Sequence, residues 1–161
     1  MSLRTGGEIA TTMSAIINPN NLKVEGFYCQ DRLAKQRVVL LYQDIRDIVK
    51  QGIVVNDHDV LADPAELVRL KDVMALNFEL KDKLVVTESK SKVGKVSDYA
   101  VEIETMFVQK LYVTQSLLKS LGGGNLSVDR SQIIEITNKK IVVSDLINTA
   151  KAAPAVAPLT N

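Results

Sequence analysis

The sequence predicts an all-β protein made of two small β-barrels in tandem, joined by one connecting helix. Three observations carry this reading. Short runs of β-branched and aromatic residues recur between clusters of Gly, Asn, Asp and Ser, as strands require. One such stretch occurs twice: Ile45-x-x-Ile48-x-x-x-x-Ile53-Val54-Val55-x-Asp57 returns as Ile133-x-x-Ile136-x-x-x-x-Ile141-Val142-Val143-x-Asp145, 88 residues further on. Between the copies, one segment has helical rather than strand spacing.

The elements follow in order. A short strand near Met1 to Leu3 leads into the turn Thr5-Gly6-Gly7-Glu8; its counterpart is Leu84-Val85-Val86-Thr87 with the turn Ser89-Lys90-Ser91-Lys92. Strands at Ala15-Ile16-Ile17 and Leu22-Lys23-Val24 flank the turn Asn18-Pro19-Asn20-Asn21. The corresponding turn is Glu102-Ile103-Glu104-Thr105, with weaker turn chemistry. Over this first part the copies align at an offset of 84, so that Leu22, Val24, Tyr28 and Cys29 fall on Met106, Val108, Tyr112 and Val113. The second part aligns at 88. The four extra residues must then lie between Val113 and Leu126, where the chain reads Lys119-Ser-Leu-Gly-Gly-Gly-Asn125, a loop. Tight turns at Lys50-Gln51-Gly52 and Asn138-Lys139-Lys140 precede the two Ile-Val-Val strands.

A copy this small can bury a core only by curling its sheet or packing on its twin. Asp63-Pro64-Ala65-Glu66 supplies a capping acid, a proline at the first helical position and a glutamate at the third, and Leu67, Leu70, Val73 and Met74 share one face. This predicts a single amphipathic helix over 64–76. The expected organisation is a first barrel over 1–62, helix and linker over 63–80, a second barrel over 81–149, and a disordered tail over 150–161, where periodicity fails and two prolines occur.

Of the 161 residues, 46% are hydrophobic, enough for a packed core, and the formal charge is +1. That balance removes the general electrostatic argument for a nucleic acid or an anionic membrane as partner. The lone Cys29 excludes an intramolecular disulfide. No apolar run approaches the ~20 residues that span a bilayer, and the N-terminus lacks a signal-peptide core. The expectation is a cytoplasmic protein without a membrane span.

Lys83-Leu-Val-Val-Thr87, a short turn, Val93-Gly94-Lys95-Val96-Ser97-Asp98, an apolar strand, and Ile133-Ile-Glu-Ile136 before Ile141-Val-Val143 together resemble the PRC-barrel domain. This is the small barrel shared by the cytoplasmic part of the photosynthetic reaction-centre H subunit and the C-terminal domain of the ribosome maturation factor RimM. Val-Gly-x-Val-x-Asp is the best single match; the first copy departs from it with Ile9-Ala10-Thr11-Thr12-Met13-Ser14. The resemblance implies a docking or assembly module that binds another protein or protein complex, without catalytic residues or a cofactor. The chain carries neither the H subunit's membrane helix nor RimM's N-terminal domain, so neither photosynthetic nor ribosomal function is transferred. RNA or ribonucleoprotein binding is the alternative.

Candidate chemistry is sparse. His58, the single histidine, lies in Asn56-Asp57-His58-Asp59. As a general base it would need an orienting carboxylate, and as a metal ligand it would need companions. A polar loop after a strand is the simpler reading, and Asp57, which recurs as Asp145, fits turn or capping chemistry. Cys29 aligns with Val113, which argues for a buried, inert thiol. Gly122-Gly123-Gly124 lacks the Lys-Ser/Thr of a phosphate-binding loop. Lys81, Lys83, Lys90, Lys92 and Lys95 form the most basic stretch, but Glu79, Asp82, Glu88 and Asp98 interleave with them. Phe27, Tyr28, Phe107 and Tyr112 would stack bases in an RNA-binding barrel, or pack the core. No catalytic, cofactor-binding or metal-binding residue is therefore assigned.

Overall fold

The computed structural model describes residues 1–115 and 125–145. The fold is all-β. Twelve strands appear among the described residues: β1 Ala10–Asn18, β2 Lys23–Asp31, β3 Arg37–Leu41, β4 Ile45–Val49, β5 Gly52–Val55, β6 Leu61–Ala62, β7 Leu84–Thr87, β8 Lys92–Val101, β9 Val108–Gln115, β10 Asn125–Asp129, β11 Ile133–Ile136 and β12 Lys140–Val143. No helix among the described residues is long and apolar enough to cross a membrane. The Gly122–Gly124 run and the 150–161 tail lie outside the described residues.

The chain divides into two compact units. The first comprises residues 1–79 with 101–108; the second comprises 80–100 and the residues from 109 on. In the first unit a four-stranded sheet has the order β1-β2-β3-β6, and β4 pairs with β5 alone. Its core gathers Cys29, Val38, Leu40 and Val55, with Ile9, Phe27, Ile53 and Leu61 packed against them. In the second unit one sheet runs β10-β9-β8-β7-β12-β11. Alternation along β9 turns Leu111 and Val113 inward and leaves Thr114 in solvent.

The elements recur at the sequence offsets. β3, the 3-10 turn Tyr42–Asp44, and β5 lie 88 residues before β10, the turn Arg130–Gln132, and β12. The registers recur too. Ile45 faces Val55 and Ile48 faces Ile53, with an irregularity after Ile45; Ile133 faces Val143 and Ile136 faces Ile141, with an irregularity after Ile133. Ile45 and Ile133 are both half-buried. At the hairpin tip in 18–22, Leu22 N donates to Asn18 O at 2.8 Å; 84 residues on, Met106 N donates to Glu102 O at 2.8 Å. Leu22 and Met106 both adopt positive φ, 55° and 60°.

Segment 101–108 completes the first unit. Val24 N donates to Met106 O at 2.8 Å and Val108 N to Leu22 O at 2.9 Å, a reciprocal pair under the 84-residue offset. All four residues are buried.

Three expectations are modified. The single helix over 64–76 is instead two 3-10 turns, Pro64–Glu66 and Val68–Leu70, followed by a one-turn helix α1, Lys71–Ala75. The capping signals act as read: Asp63 accepts from Ala65 N, and Pro64 opens the turn. Leu67, at φ −84° and ψ 68°, leaves helical space and breaks the run. Leu67, Leu70, Val73 and Met74 nevertheless remain half-buried, as does Pro64. The first strand near Met1 to Leu3 is reduced to one parallel bridge, Ser2 with Val55. Finally, among the described residues the hydrogen-bond ladders form open sheets rather than closed rings.

Candidate functional site

The most organised polar site lies in the first unit, where a chain of contacts joins three segments distant in sequence. β2 ends at Asp31, whose side chain is 3% exposed. Its Oδ1 accepts from Leu33 N at 2.7 Å and Ala34 N at 3.1 Å, which folds residues 31–36 into a tight connection. Its Oδ2 lies 2.7 Å from His58 Nε2. Burial alone would raise the Asp31 carboxyl, but the Ala34 and Leu33 amides and His58 outweigh it and hold the group below its ordinary value. An ionised carboxylate only accepts, so Nε2 carries the proton in this bond.

His58 is aimed by its neighbour. Asp57 caps the 3-10 turn His58–Val60, accepting from His58 N at 2.8 Å. Asp57 also takes Arg4 Nη1 at 2.8 Å, and Ser2 Oγ lies 3.3 Å away. These donors, His58 N first, hold the Asp57 carboxyl below its usual value. The sequence Arg4–Asp57–His58–Asp31–Leu33 thus ties the N-terminal segment to the end of β5 and to the loop after β2. A broad open cleft of ≈ 740 Å³ adjoins it, lined in part by Arg4, Asp44, Asn56, Asp57 and Asp59.

The arrangement restrains: Asp31 orients His58 through Nε2, leaving the imidazole 43% exposed, and is further occupied by two backbone amides. No three His, Cys, Asp or Glu residues come together as a metal site among the described residues. What the restraint presents is Leu33, 81% exposed on a loop whose backbone is fixed by a buried charge.

The remaining sequence candidates are dispersed. Cys29 is buried; desolvation pushes its thiol up, and Sγ sits 3.7 Å from Phe27 O. Arg37 covers the ring of Tyr28 at 3.7 Å, and Lys23 lies 4.0 Å above Tyr42 and 5.8 Å from Phe107. Phe27 packs on the Cys29 cluster, and Tyr112 accepts from Ser97 Oγ through its carbonyl. In the basic stretch, Lys81 pairs with Asp98 at 3.4 Å and Lys83 Nζ donates to Asn138 O at 2.8 Å. Asp145 has the same kind of role as Asp57, accepting from Ser89 N and Ser89 Oγ.

Sequence reasoning placed His58 in a polar loop but missed its partner, because 27 residues separate the two. One signal was available. The residues 84 positions after Asp31 and 88 after His58 are Gln115 and Leu146, so the carboxylate and the imidazole are absent there together. No protein-family model matches this chain, and no curated protein matches it.

Proposed function

We propose that this chain is a non-enzymatic docking module of the PRC-barrel type, built by internal duplication, that binds another protein. The observation that carries the reading is the buried Asp31 carboxylate. A charge this little exposed is tolerated only where it is paired and hydrogen-bonded. Here it fixes a surface loop bearing an exposed leucine, which suits recognition: a rigid apolar contact loses little entropy on binding.

The recurrence of strands, registers and positive-φ tips at fixed offsets supports duplication, and the sheet lengths suit small curled sheets of the PRC-barrel kind. The covered face of Tyr28 favours protein over RNA, because Arg37 of the same chain already occupies a surface on which a base would stack.

The test is affinity capture from native cells with the intact protein and with Leu33→Asp, at matched abundance. A partner retained by the first and lost by the second supports the reading. Equal capture, or no partner with either, overturns it. Salt-sensitive binding of labelled RNA in place of a protein partner would favour the ribonucleoprotein alternative.

A further inference from the structure

The sheet of the second unit carries two rows of outward side chains across β12, β7 and β8. In one row Leu84 faces Lys140 on one side and Lys95 on the other. In the next, Val86 faces Val142 and Lys92, and Val142 faces Glu135 on β11. Between the rows lie Val85, Ile141 and Gly94, all buried, so alternation turns both rows away from the core. Lys92, Lys95, Lys140 and Glu135 are exposed, and Leu84, Val86 and Val142 are half-buried.

Two features set this face apart from a plain solvated one. A sheet face turned to water normally presents polar residues, yet Leu84, Val86 and Val142 place a contiguous aliphatic strip at its centre. The lysines beside the strip also keep their charge uncompensated. Lys81 pairs with Asp98 and Lys110 with Asp129, but among the described residues Lys95 and Lys140 have no ion-pair partner. Within the two rows Glu135 alone is acidic.

The cations belong to the second copy only. The residue 88 before Lys140 is Gly52, and those 84 before Lys95 and Lys92 are Thr11 and Glu8. Val142, by contrast, is matched by Val54. Packing does not call for these lysines, since the first copy forms the corresponding strands without them.

We propose that this face docks an acidic segment of a partner protein, with carboxylates on Lys140, Lys95 and Lys92 and an aliphatic side chain on Leu84, Val86 and Val142. The proposal rests on the docking reading and gives the second unit a surface of its own, apart from Leu33. Neighbouring strands lie about 4.8 Å apart, so Lys140 and Lys95 rise from backbones about 10 Å apart, with room for one aliphatic side chain between two carboxylates. Burial of the strip adds an apolar contribution that exposed ion pairs alone lack. Nucleic acid fits less well: its phosphates would meet the lysines, but neither row holds an aromatic ring on which a base could stack.

The probe is the N-acetylated heptapeptide Glu-Asp-Leu-Glu-Asp-Leu-Glu, titrated into the full chain and followed by amide chemical shifts. Expected are saturable shifts at Leu84, Val86, Lys95 and Val142. They should vanish with the neutral control Gln-Asn-Leu-Gln-Asn-Leu-Gln and weaken with the leucine-free control Glu-Asp-Gly-Glu-Asp-Gly-Glu. Lys95→Gln combined with Lys140→Gln changes only exposed side chains, so the fold persists, and it should weaken binding about tenfold. No shifts at these amides, equal shifts with either control, or affinity unchanged in the double variant overturns the face. Single-stranded RNA or phosphatidylserine vesicles that shift the same amides while the peptide does not also overturn it. Leu33-dependent capture without peptide binding sinks this face alone. Peptide binding without such capture leaves this face standing and sinks the Leu33 surface.

Discussion

His58 Nε2 lies 2.7 Å from Asp31 Oδ2, although 27 residues separate the two in sequence. The contact closes the one buried carboxylate of the first unit, whose other oxygen holds the Leu33 and Ala34 amides. Asp31→Ala orphans those donors and should cost about 1–3 kcal/mol of unfolding free energy, read from urea titrations. His58→Ala leaves Asp31 its two amide donors and should cost less. A loss in Asp31→Ala no larger than in His58→Ala would contradict the assigned hierarchy.

The same carboxylate makes a statement about acid. Asp31, Asp57 and Asp145 are all held below their ordinary values in the folded chain. A carboxyl depressed by folding contributes stability that is fully present above its unfolded value of about 3.9 and is lost as pH falls through the folded value. Melting temperature should therefore drop along an acid limb that begins near that unfolded value. Asp31→Asn cannot gain a proton in this range, so its acid limb should be shallower than that of the unaltered protein. Circular dichroism melts across the range decide it, and parallel limbs would show that Asp31 contributes nothing to the linkage.

Local pattern made the strands legible. Ile53-Val54-Val55 and Ile141-Val142-Val143 read as strands from composition, and the tight turns before them from Gly52 and Asn138. The helix was half legible: the Asp63 cap and the apolar face were sound, but the backbone at Leu67 departs from helical values, which the good helix propensity of leucine does not foretell. Asp31 with His58 was not legible, because a lone histidine carries no information about which distant carboxylate it meets.

Close backbone approach fixes two glycines. A Cβ at Gly26 would come within 2.5 Å of Leu40 O, and one at Gly94 would overlap Thr114 O. Neither obstacle is a flexible side-chain end, so strands must separate. Gly26→Ala and Gly94→Ala should each cost about 1–3 kcal/mol by denaturant titration. Gly7→Ala, whose Cβ would meet Thr5 Oγ1 at 3.7 Å, should be nearly neutral. A neutral Gly94→Ala would mean that β8 and β9 run further apart than described.

Buried Cys29 gives a rate to measure. Its thiol is desolvated, pushed up from its ordinary value and packed with Val38, Leu40 and Val55. Only the thiolate reacts, so a disulfide reagent at neutral pH should modify it far more slowly than the unfolded chain, with the rate rising as denaturant opens the unit. Modification as fast as in the unfolded chain would show the cluster to be open.

Asp57 and Asp145 test whether one device has been kept twice. Asp57 lies 3.3 Å from Ser2 Oγ, beside Leu3 N donating to Val55 O; Asp145 accepts from Ser89 Oγ at 2.8 Å, beside Glu88 N donating to Val143 O. Each carboxylate fastens the segment that enters its own unit. Asp57 does more, because it also takes Arg4 and caps the turn that aims His58. In double-mutant cycles, Asp145→Ala with Ser89→Ala should be non-additive, since each removes the other's partner. Asp57→Ala with Ser2→Ala should couple more weakly, because Asp57 retains other donors when Ser2 is lost. Only Asp57→Ala should also move the imidazole resonances of His58. Unshifted His58 resonances would separate the capping role from the clasp; additivity at Asp145 and Ser89 would show that their short contact contributes nothing in solution.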